Sequence, residues 1–204
     1  MPTNFDERAA TWDEDPSRVE RAQAATAAIR AAVPLGGAMR VLEYGAGTGL
    51  VSQLLAGEVG HLTLADTSGG MRAVMAGKIA DGALPSETRI WALDLATDPV
   101  PDDRFDLLVT VMTLHHIRDL RPVLEGFATM LSPGGHLCVV DLEAEDGSFH
   151  DNDPDFEGHD GLGRGDLTRR LEAAGFDDVR FARCHEITKN GGVYPLFLAT
   201  CRRP

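Results

Sequence analysis

Basic residues are scarce in this 204-residue chain, in which 19 Lys and Arg face 32 Asp and Glu and leave a formal net charge of −13. Nucleic acids and anionic membrane surfaces are bound largely through Lys and Arg. No basic cluster stands out beyond the short Arg-Arg pairs at Arg169 and Arg202. We therefore expect neither a nucleic acid nor a membrane among the partners of this protein.

Long apolar runs are also missing from the sequence. No run reaches the roughly 18 residues that a membrane-spanning helix needs, and the acidic N-terminal residues 1–17 lack the apolar segment of a secretory signal. These absences predict a cytoplasmic protein. The chain length and the hydrophobic content of 43% predict a single globular domain over residues 1–204.

The cysteines Cys138, Cys184 and Cys201 are few and far apart, and they form no CxxC pair. Each lies in an apolar stretch that we interpret as a strand. Buried, reduced thiols are the favoured interpretation of such residues. A thiolate site for a soft metal or arsenic is the alternative.

Apolar runs of strand length alternate with helix-like segments along most of the chain. The runs "MRVLEY", "HLTLAD", "TRIWALD", "FDLLVTVMTL" and "GHLCVVDL" are almost continuously apolar, as expected for strands whose two faces are covered by helices. This alternation predicts an α/β fold with a doubly wound parallel sheet. The last quarter instead predicts an antiparallel hairpin, because "VRFARCHEITK" and "VYPLFLATC" flank the turn sequence "NGG".

Two segments fit no strand-helix unit. Residues 1–33 precede the first strand, and a helix is predicted to begin there at Asp15-Pro16, which supplies an N-cap and a proline at the first helical position. Residues 143–164 form a long loop after the fifth strand, and loops of this length are usually functional or disordered. We interpret these segments as an N-terminal helical cap and a capping loop.

The stretch "VLEYGAGTG" places Gly45, Gly47 and Gly49 directly after the first strand. A strand, a glycine-rich turn and a helix N-terminus together direct backbone N–H groups toward a ligand. Asp66 ends the second strand, 21 residues beyond Gly45, where its carboxylate can accept hydrogen bonds from ribose hydroxyls. The combination predicts a nucleoside site, and a tight turn with a solvated aspartate is the alternative.

Glu43, two residues ahead of the glycines, narrows the choice of nucleoside. An acid at this place would repel a pyrophosphate but suits a ligand with an ammonium group, such as S-adenosylmethionine (SAM). The third glycine of a dinucleotide fingerprint would fall at Ser52 and is missing. An NAD-dependent oxidoreductase is therefore the least favoured alternative.

Several stretches in the same order resemble the class I SAM-dependent methyltransferases, in particular the small-molecule, type 11/12-like branch. "VLEYGAGTG" resembles motif I with a Glu in place of the commoner Asp, and "LADTSGGM", "WALDL", "TVMTLHHIRDL" and "LSPGG" resemble later motifs. The resemblance implies a Rossmann-like seven-stranded mixed sheet of order 3-2-1-4-5-7-6 with strand 7 antiparallel. It implies SAM as cofactor and S-adenosylhomocysteine as product. The residues that it places at the cofactor are Glu43, Gly45, Ala46, Gly47, Gly49, Asp66, Thr67, Met71, Asp94, Leu95 and Met112.

Methyl transfer from a sulfonium needs alignment more than acid–base chemistry, and positioning alone can supply about 7–11 kcal/mol of the barrier. A general base matters only when the nucleophile must lose a proton. His115 and His116, at the end of the fourth strand, are the catalytic candidates. The alternative is that the pair mainly shapes the pocket.

The capping segments supply the candidate substrate residues Trp12, Phe149 and His150, with Phe5 as a further part of an apolar lid. The loop offers two interpretations, a metal site built from His150, His159 and the carboxylates Asp151, Asp153 and Asp155, or ordinary solvated acids. The solvated interpretation is favoured, so no metal ligand is predicted.

The sequence thus predicts an enzyme that methylates a small molecule by in-line displacement. A protein methyltransferase is the first alternative, and a SAM-binding regulator or partner subunit without catalytic activity is the second. Either a monomer or a homodimer is compatible with the sequence.

Overall fold

The computed structural model describes residues 4–151, 153 and 156–204. They form a seven-stranded sheet of order β3-β2-β1-β4-β5-β7-β6, in which β7 runs antiparallel to both of its neighbours and the other pairs are parallel. This confirms the predicted mixed Rossmann-like topology. The strands are β1 Arg40–Tyr44, β2 His61–Ala65, β3 Arg89–Trp91, β4 Phe105–Val111, β5 Leu131–Leu142, β6 Asp177–Lys189 and β7 Gly192–Arg202.

The helices lie against the two faces of this sheet. They are α1 Asn4–Arg8, α2 Pro16–Ala32, α3 Leu50–Leu55, α4 Gly69–Ala80, α5 Leu120–Met130 and α6 Arg164–Ala173, and short 3₁₀ turns cover Ala9–Glu14, Leu114–His116 and Ser148–His150. Successive strand residues point to opposite faces, so Leu42 of β1 belongs to one buried cluster and Val41 to the other. The near-continuous apolar strands are explained by this two-sided burial.

Three helices begin at a side-chain N-cap, and the first of them, Asp15, is the one that the sequence predicts. The Asp15 carboxylate accepts a hydrogen bond from the Ser17 backbone N–H at 3.0 Å, and the Ser68 hydroxyl accepts one from the Met71 N–H at 3.1 Å. The Asp119 carboxylate does the same at the start of α5. Each cap satisfies a backbone donor that the helix itself leaves unpaired.

The terminal hairpin turns at Asn190 and Gly191, whose φ angles are 51° and 80°. Two successive positive φ values are typical of the two-residue turns that match strand twist. The "LSPGG" stretch differs from the prediction, because β5 begins at Leu131 and includes it. Leu131 already pairs with Phe105 of β4, and a register shift follows before the regular ladder.

The three cysteines are free, and Cys138 and Cys201 are buried. These two belong to the buried clusters on opposite sides of the sheet, so the cysteines do not converge on one thiolate site. Buried thiols, the favoured interpretation, describe both residues.

Within the described part of the chain, no helix is long and apolar enough to cross a membrane.

Candidate functional site

A cavity of about 450 Å³ opens at the carboxyl ends of β1, β2 and β4. Eleven of the residues predicted from the sequence line it: Phe5, Trp12, Glu43, Gly45, Ala46, Asp66, Thr67, Met71, Asp94, Met112 and His116. The remaining predicted residues lie outside its lining: Gly47, Gly49, Leu95, His115, Phe149 and His150. The structure therefore brings most of the predicted cofactor residues to one place and only one of the two catalytic histidines.

The glycines of the loop after β1 serve different purposes. All three have positive φ, at 69° for Gly45, 56° for Gly47 and 77° for Gly49, a region that other residues rarely adopt. A Cβ on Gly45 would overlap the Thr113 side chain, and one on Gly49 would lie 2.7 Å from Leu64 Cδ2. A Cβ on Gly47 would meet nothing within 4 Å. Close packing thus requires glycine at Gly45 and Gly49, whereas at Gly47 only the left-handed turn favours it.

Asp66 connects the end of β2 to the glycine loop. Its Oδ2 accepts a hydrogen bond from the Gly47 N–H at 2.7 Å, and its Oδ1 accepts one from the Ser68 N–H at 2.8 Å. Burial raises the pKa of Asp66 although these two donors oppose the shift. The carboxylate is therefore held in one orientation at the cavity wall, and each oxygen keeps a lone pair for a further donor.

Glu43 is buried beneath the loop and caps the first turn of α3. Its Oε2 accepts hydrogen bonds from the Ser52 N–H at 3.0 Å and from the Ser52 hydroxyl at 2.5 Å. Ser52 is the residue at which a dinucleotide fingerprint would need its third glycine. Burial raises the pKa of Glu43 to about 7, against the effect of the Ser52 donors. The carboxyl can therefore change its charge near neutral pH.

The end of β4 carries a left-handed residue that is not glycine. Met112 has a φ of 54°, and its N–H donates to the Val140 carbonyl at 2.8 Å. Such backbone conformations are uncommon for side chains of this size and cluster at functional sites. The turn brings Met112 and Thr113 into the cavity wall beside the glycine loop.

The segment after β3 contributes a third acid to the wall. Asp94 lines the cavity, and its carboxylate accepts from the Ala96 N–H at 3.0 Å. Leu95 is buried behind this wall, where its N–H donates to the Tyr44 hydroxyl at 3.1 Å. Burial raises the pKa of Tyr44 to about 12. Tyr44 is therefore a neutral hydrogen-bonding residue that fixes the segment.

The N-terminal segment covers the cavity from the other side. The Asp6 carboxylate accepts hydrogen bonds from the Ser68 hydroxyl at 2.6 Å and from the Gly70 N–H at 2.8 Å. The Asp13 carboxylate accepts one from the Thr48 hydroxyl at 2.5 Å and also pairs with Lys78 at 2.6 Å. These contacts place Phe5 and Trp12 in the wall.

Two cavity arginines escaped the sequence analysis. Arg18 and Arg21 of α2 both line the cavity, and the Arg18 guanidinium lies 3.7 Å from the centre of the Trp12 ring. Arg21 is half-buried, and its guanidinium forms no hydrogen bond or ion pair with any residue in the described part of the chain. The sequence feature that could have pointed to Arg21 is its position one helical turn before Ala25, which is buried in α2.

The predicted catalytic histidines occupy different environments. His115 is buried, and its Nδ1 lies 2.5 Å from Asp141 Oδ1 at the end of β5. His116 is exposed to the cavity space. Desolvation by the residues packed around the imidazole, together with the neighbouring His115 and His150 rings, lowers the pKa of His116 well below that of a free imidazole. It is therefore a neutral imidazole at physiological pH.

Phe149 and His150, the predicted substrate residues of the capping loop, lie behind His116. Phe149 is buried, and its ring packs edge-on against Tyr194. The His150 ring centre is 5.3 Å from that of His115 and 5.5 Å from that of His116. The loop therefore supports the histidine end of the cavity from outside.

Known proteins resemble the chain in both sequence and fold. A family model described as a methyltransferase domain matches residues 13–180. Over 106 residues the chain is 31% identical to the ubiquinone/menaquinone biosynthesis C-methyltransferase UbiE of Vibrio vulnificus, which covers 50% of this chain and 41% of that protein. Over 109 residues it is 35% identical to the ubiquinone biosynthesis O-methyltransferase of Xylella fastidiosa, which covers 52% of this chain and 43% of that protein.

The structure of the N-methyltransferase NodS from Bradyrhizobium japonicum, in complex with S-adenosylhomocysteine, superimposes with a TM-score of 0.75 at 19% identity, covering 100% of this chain and 98% of NodS. At that identity the likeness concerns the fold alone. The matched regions cover less than half the length of the two curated relatives. The family model, in contrast, spans most of the sequence and extends from the N-terminal cap into β6. The chain therefore belongs to the methyltransferase domain family, as its class I motifs predicted.

Proposed function

We propose that this chain binds SAM in the cavity and transfers its methyl group to a small molecule. The observation that carries the proposal is the combination of charges that line the cavity: the carboxylates of Asp66 and Glu43 together with the guanidinium of Arg21. SAM presents a ribose, an ammonium and a carboxylate, and these three residues offer a complementary partner to each. These three side chains therefore fit the polar groups of SAM.

Arg21 gives this fit independent support. A half-buried guanidinium without a hydrogen bond to any described residue is costly, because its donors lose water without gaining a partner. A carboxylate in the cavity would supply that partner in bidentate form. The amino acid tail of SAM carries such a carboxylate next to the ammonium that Glu43 would attract.

The same wall disfavours a dinucleotide. A pyrophosphate at the glycine loop would need free backbone N–H groups, but the Gly47 N–H already donates to Asp66. The loop also faces the acids Glu43 and Asp13, which would repel phosphate charge. The alternative of an NAD-dependent oxidoreductase therefore remains the least favoured.

A small acceptor fits the enclosure of the cavity. Its volume of about 450 Å³ lies within the range of small-molecule sites, and Phe5 and Trp12 close one side of it. The relatives are named as C-, O- and N-methyltransferases, so the similarity does not select the acceptor atom. The cap formed by Phe5 and Trp12 leaves room for a small molecule beside SAM and therefore favours it over a protein chain as the acceptor.

In this proposal the protein acts mainly by positioning. SAM supplies an activated methyl group, and Asp66, Glu43 and Arg21 hold the donor so that the methyl group points along the cavity. His116, which also lines the cavity, contacts the acceptor and orients it toward the methyl group. Phe5 and Trp12 exclude water from the reacting groups. Alignment of this kind accounts for most of the rate enhancement needed.

The test uses SAM carrying a deuterated methyl group, incubated with the chain and a small-molecule extract, with products followed by mass spectrometry. We expect one or more small molecules to acquire the labelled methyl group and S-adenosylhomocysteine to form. At a SAM concentration near the wild-type Kd, Asp66→Ala should strongly reduce the label, whereas Asp81→Ala, at an exposed aspartate at the end of α4, should retain it.

The remaining outcomes distinguish the alternatives. Label found only in added protein fractions would replace the small-molecule proposal with a protein methyltransferase. SAM binding without label transfer to either fraction would indicate a regulator or partner subunit. Absence of SAM binding would overturn the proposal altogether.

A further inference from the structure

Three histidines converge behind the cavity wall from separate parts of the chain. His115 and His116 belong to the 3₁₀ turn after β4, and His150 belongs to the turn after β5. One ring nitrogen from each lies within 4.8 Å of the other two. The set is buried at His115, half-buried at His150 and open to the cavity at His116.

Two of these nitrogens are buried without a partner. His115 Nε2 and His150 Nδ1 form no hydrogen bond with any residue that the structure describes. An unsatisfied buried polar atom costs about 1–3 kcal/mol. Because both residues belong to the same cluster, a single ligand between the rings could satisfy both.

The orientation of His115 is fixed by a carboxylate. Asp141 is fully buried, and its Oδ1 lies 2.5 Å from His115 Nδ1 while also accepting from the Leu142 N–H at 2.8 Å. The His115 N–H of the main chain donates to Asp141 Oδ2 at 3.3 Å. A carboxylate that binds one imidazole nitrogen and turns the other toward a centre is the usual support of a metal-binding histidine.

We propose that His115, His116 and His150 bind one divalent transition-metal ion of the zinc type, with Asp141 as the positioning residue. Imidazole ligands suit Zn²⁺, Cu²⁺, Ni²⁺ and Fe²⁺, whereas Mg²⁺ and Ca²⁺ prefer oxygen ligands. Three protein ligands leave a fourth position for an exogenous ligand. The exposure of His116 places that position on the cavity side.

The proposed site differs from the one considered from the sequence. Of the loop carboxylates weighed there, Asp151 and Asp153 are exposed and absent from the cluster, and Asp155 lies outside the described residues. His159 contributes its backbone, since its N–H donates to the His115 carbonyl at 2.6 Å. The histidines thus converge through the fold of β4 and β5.

Ligands of a tetrahedral zinc ion at about 2.0–2.1 Å from the metal stand roughly 3.3 Å apart. The ring nitrogens of the three histidines lie up to 4.8 Å apart, which is farther than this, so we expect the imidazoles to move inward when the metal binds. His150, whose turn lies outside the sheet, is the residue that can make this movement. His115 is held in place by Asp141.

A consequence for catalysis rests on the proposed methyl transfer, whereas the metal site itself does not. A hydroxyl or thiol acceptor bound at the fourth position would lose its proton to solvent more readily. Its oxygen or sulfur lone pair would then form the new bond to the methyl carbon while the carbon–sulfur bond of the sulfonium breaks. The donor leaves as a neutral thioether.

The site is tested on the untagged full-length chain, stripped with a chelator and reloaded with Zn²⁺ or Co²⁺. We expect one equivalent of metal per chain by elemental analysis and visible Co²⁺ absorption of a four-coordinate site. His150→Ala and His116→Ala should each weaken binding by about 100-fold or more, since loss of an outer partner alone costs 10–100-fold. Asp141→Asn should fall within that smaller range.

Matched controls separate a specific site from surface binding. His61→Ala replaces an exposed histidine at the start of β2 and should keep the full equivalent. Zn²⁺ should raise the Tm of the wild-type chain but not that of His150→Ala, whose own Tm reports whether the variant folds. Mg²⁺ should not compete.

The proposal is overturned if the chain retains no stoichiometric metal, which would indicate that a buried water bridges the histidines. It is equally overturned if His150→Ala and His116→Ala bind metal as the wild type does. A parallel titration with SAM keeps the two hypotheses apart. Metal binding without SAM binding would refute the proposed function and leave the metal site standing, and SAM binding without metal would do the reverse.

Discussion

The two sides of the cavity are built in different ways. The side at the strand ends consists of residues held by the sheet and its first turns, such as Asp66, which accepts two backbone N–H groups within its own neighbourhood. The opposite side comes from segments outside the sheet, and Trp12 reaches the wall only because Asp6 and Asp13 attach the N-terminal segment to distant loops. We expect the first side, together with Arg21 of α2, to bind SAM, and Phe5 and Trp12 of the second side to choose the acceptor.

The largest expected effect is on the donor side. Asp66→Ala should weaken SAM binding by about ten- to hundredfold, because a hydrogen bond to a charged group contributes roughly 1.5–3 kcal/mol. Calorimetric titration measures this change. Asp66→Asn should lose less, since it keeps one acceptor oxygen. An unchanged Kd for both variants would break the assignment of the donor side.

The charge of Glu43 should make SAM binding pH-dependent. With a pKa of about 7, its ionised fraction rises about tenfold between pH 6 and pH 8, and only the ionised form attracts an ammonium. We therefore expect affinity to rise with pH over this range and Glu43→Gln to remove that component. A Glu43→Gln variant with the same pH profile as the wild type would contradict the role of this residue.

Glu43 also predicts a trend in stability. Its pKa is raised in the folded state above the ordinary value of 4.5, so the folded chain holds this proton more tightly than the unfolded chain. The contribution of Glu43 to the free energy of unfolding is therefore complete below pH 4.5 and is lost as the pH rises through about 7. Denaturant unfolding of the wild type and Glu43→Gln across this range measures the difference.

A smaller effect is expected at Arg21. Arg21→Ala should weaken SAM binding by roughly five- to tenfold, less than a buried charged hydrogen bond would give because the guanidinium is only half-buried. Arg30→Ala is the matched control, since Arg30 lies on the same helix but pairs with Glu58. Equal effects of the two substitutions would indicate a general role of the helix.

The smallest effect on the donor is expected from the cap. Trp12→Ala should raise the KM for the acceptor about fivefold through the loss of roughly 1 kcal/mol of apolar contact, while the Kd for SAM stays unchanged. Trp12→Phe should restore much of the acceptor binding. If Trp12→Ala weakened SAM and acceptor binding equally, the division of the cavity into two sides would fail.

The same division explains how far the sequence could be interpreted. The alternation of strands and helices, the N-cap at Asp15 and the pairing of the glycine loop with Asp66 were predictable because they depend on short spacing. The sheet order was predictable only through the resemblance to class I methyltransferases. Arg21 was not recognised, because only the path of α2 brings it to the strand ends. His115 and His150 are far apart in the sequence and meet only in the folded chain, so no local sequence pattern predicts the histidine cluster.

The most direct test of the account is a calorimetric titration of the chain with SAM, S-adenosylhomocysteine and NAD. We predict micromolar binding of the first two ligands, no binding of NAD, and a clear loss of affinity in Asp66→Ala. Binding of NAD in the absence of SAM binding would contradict the assignment of the donor side and, with it, the proposed methyl transfer.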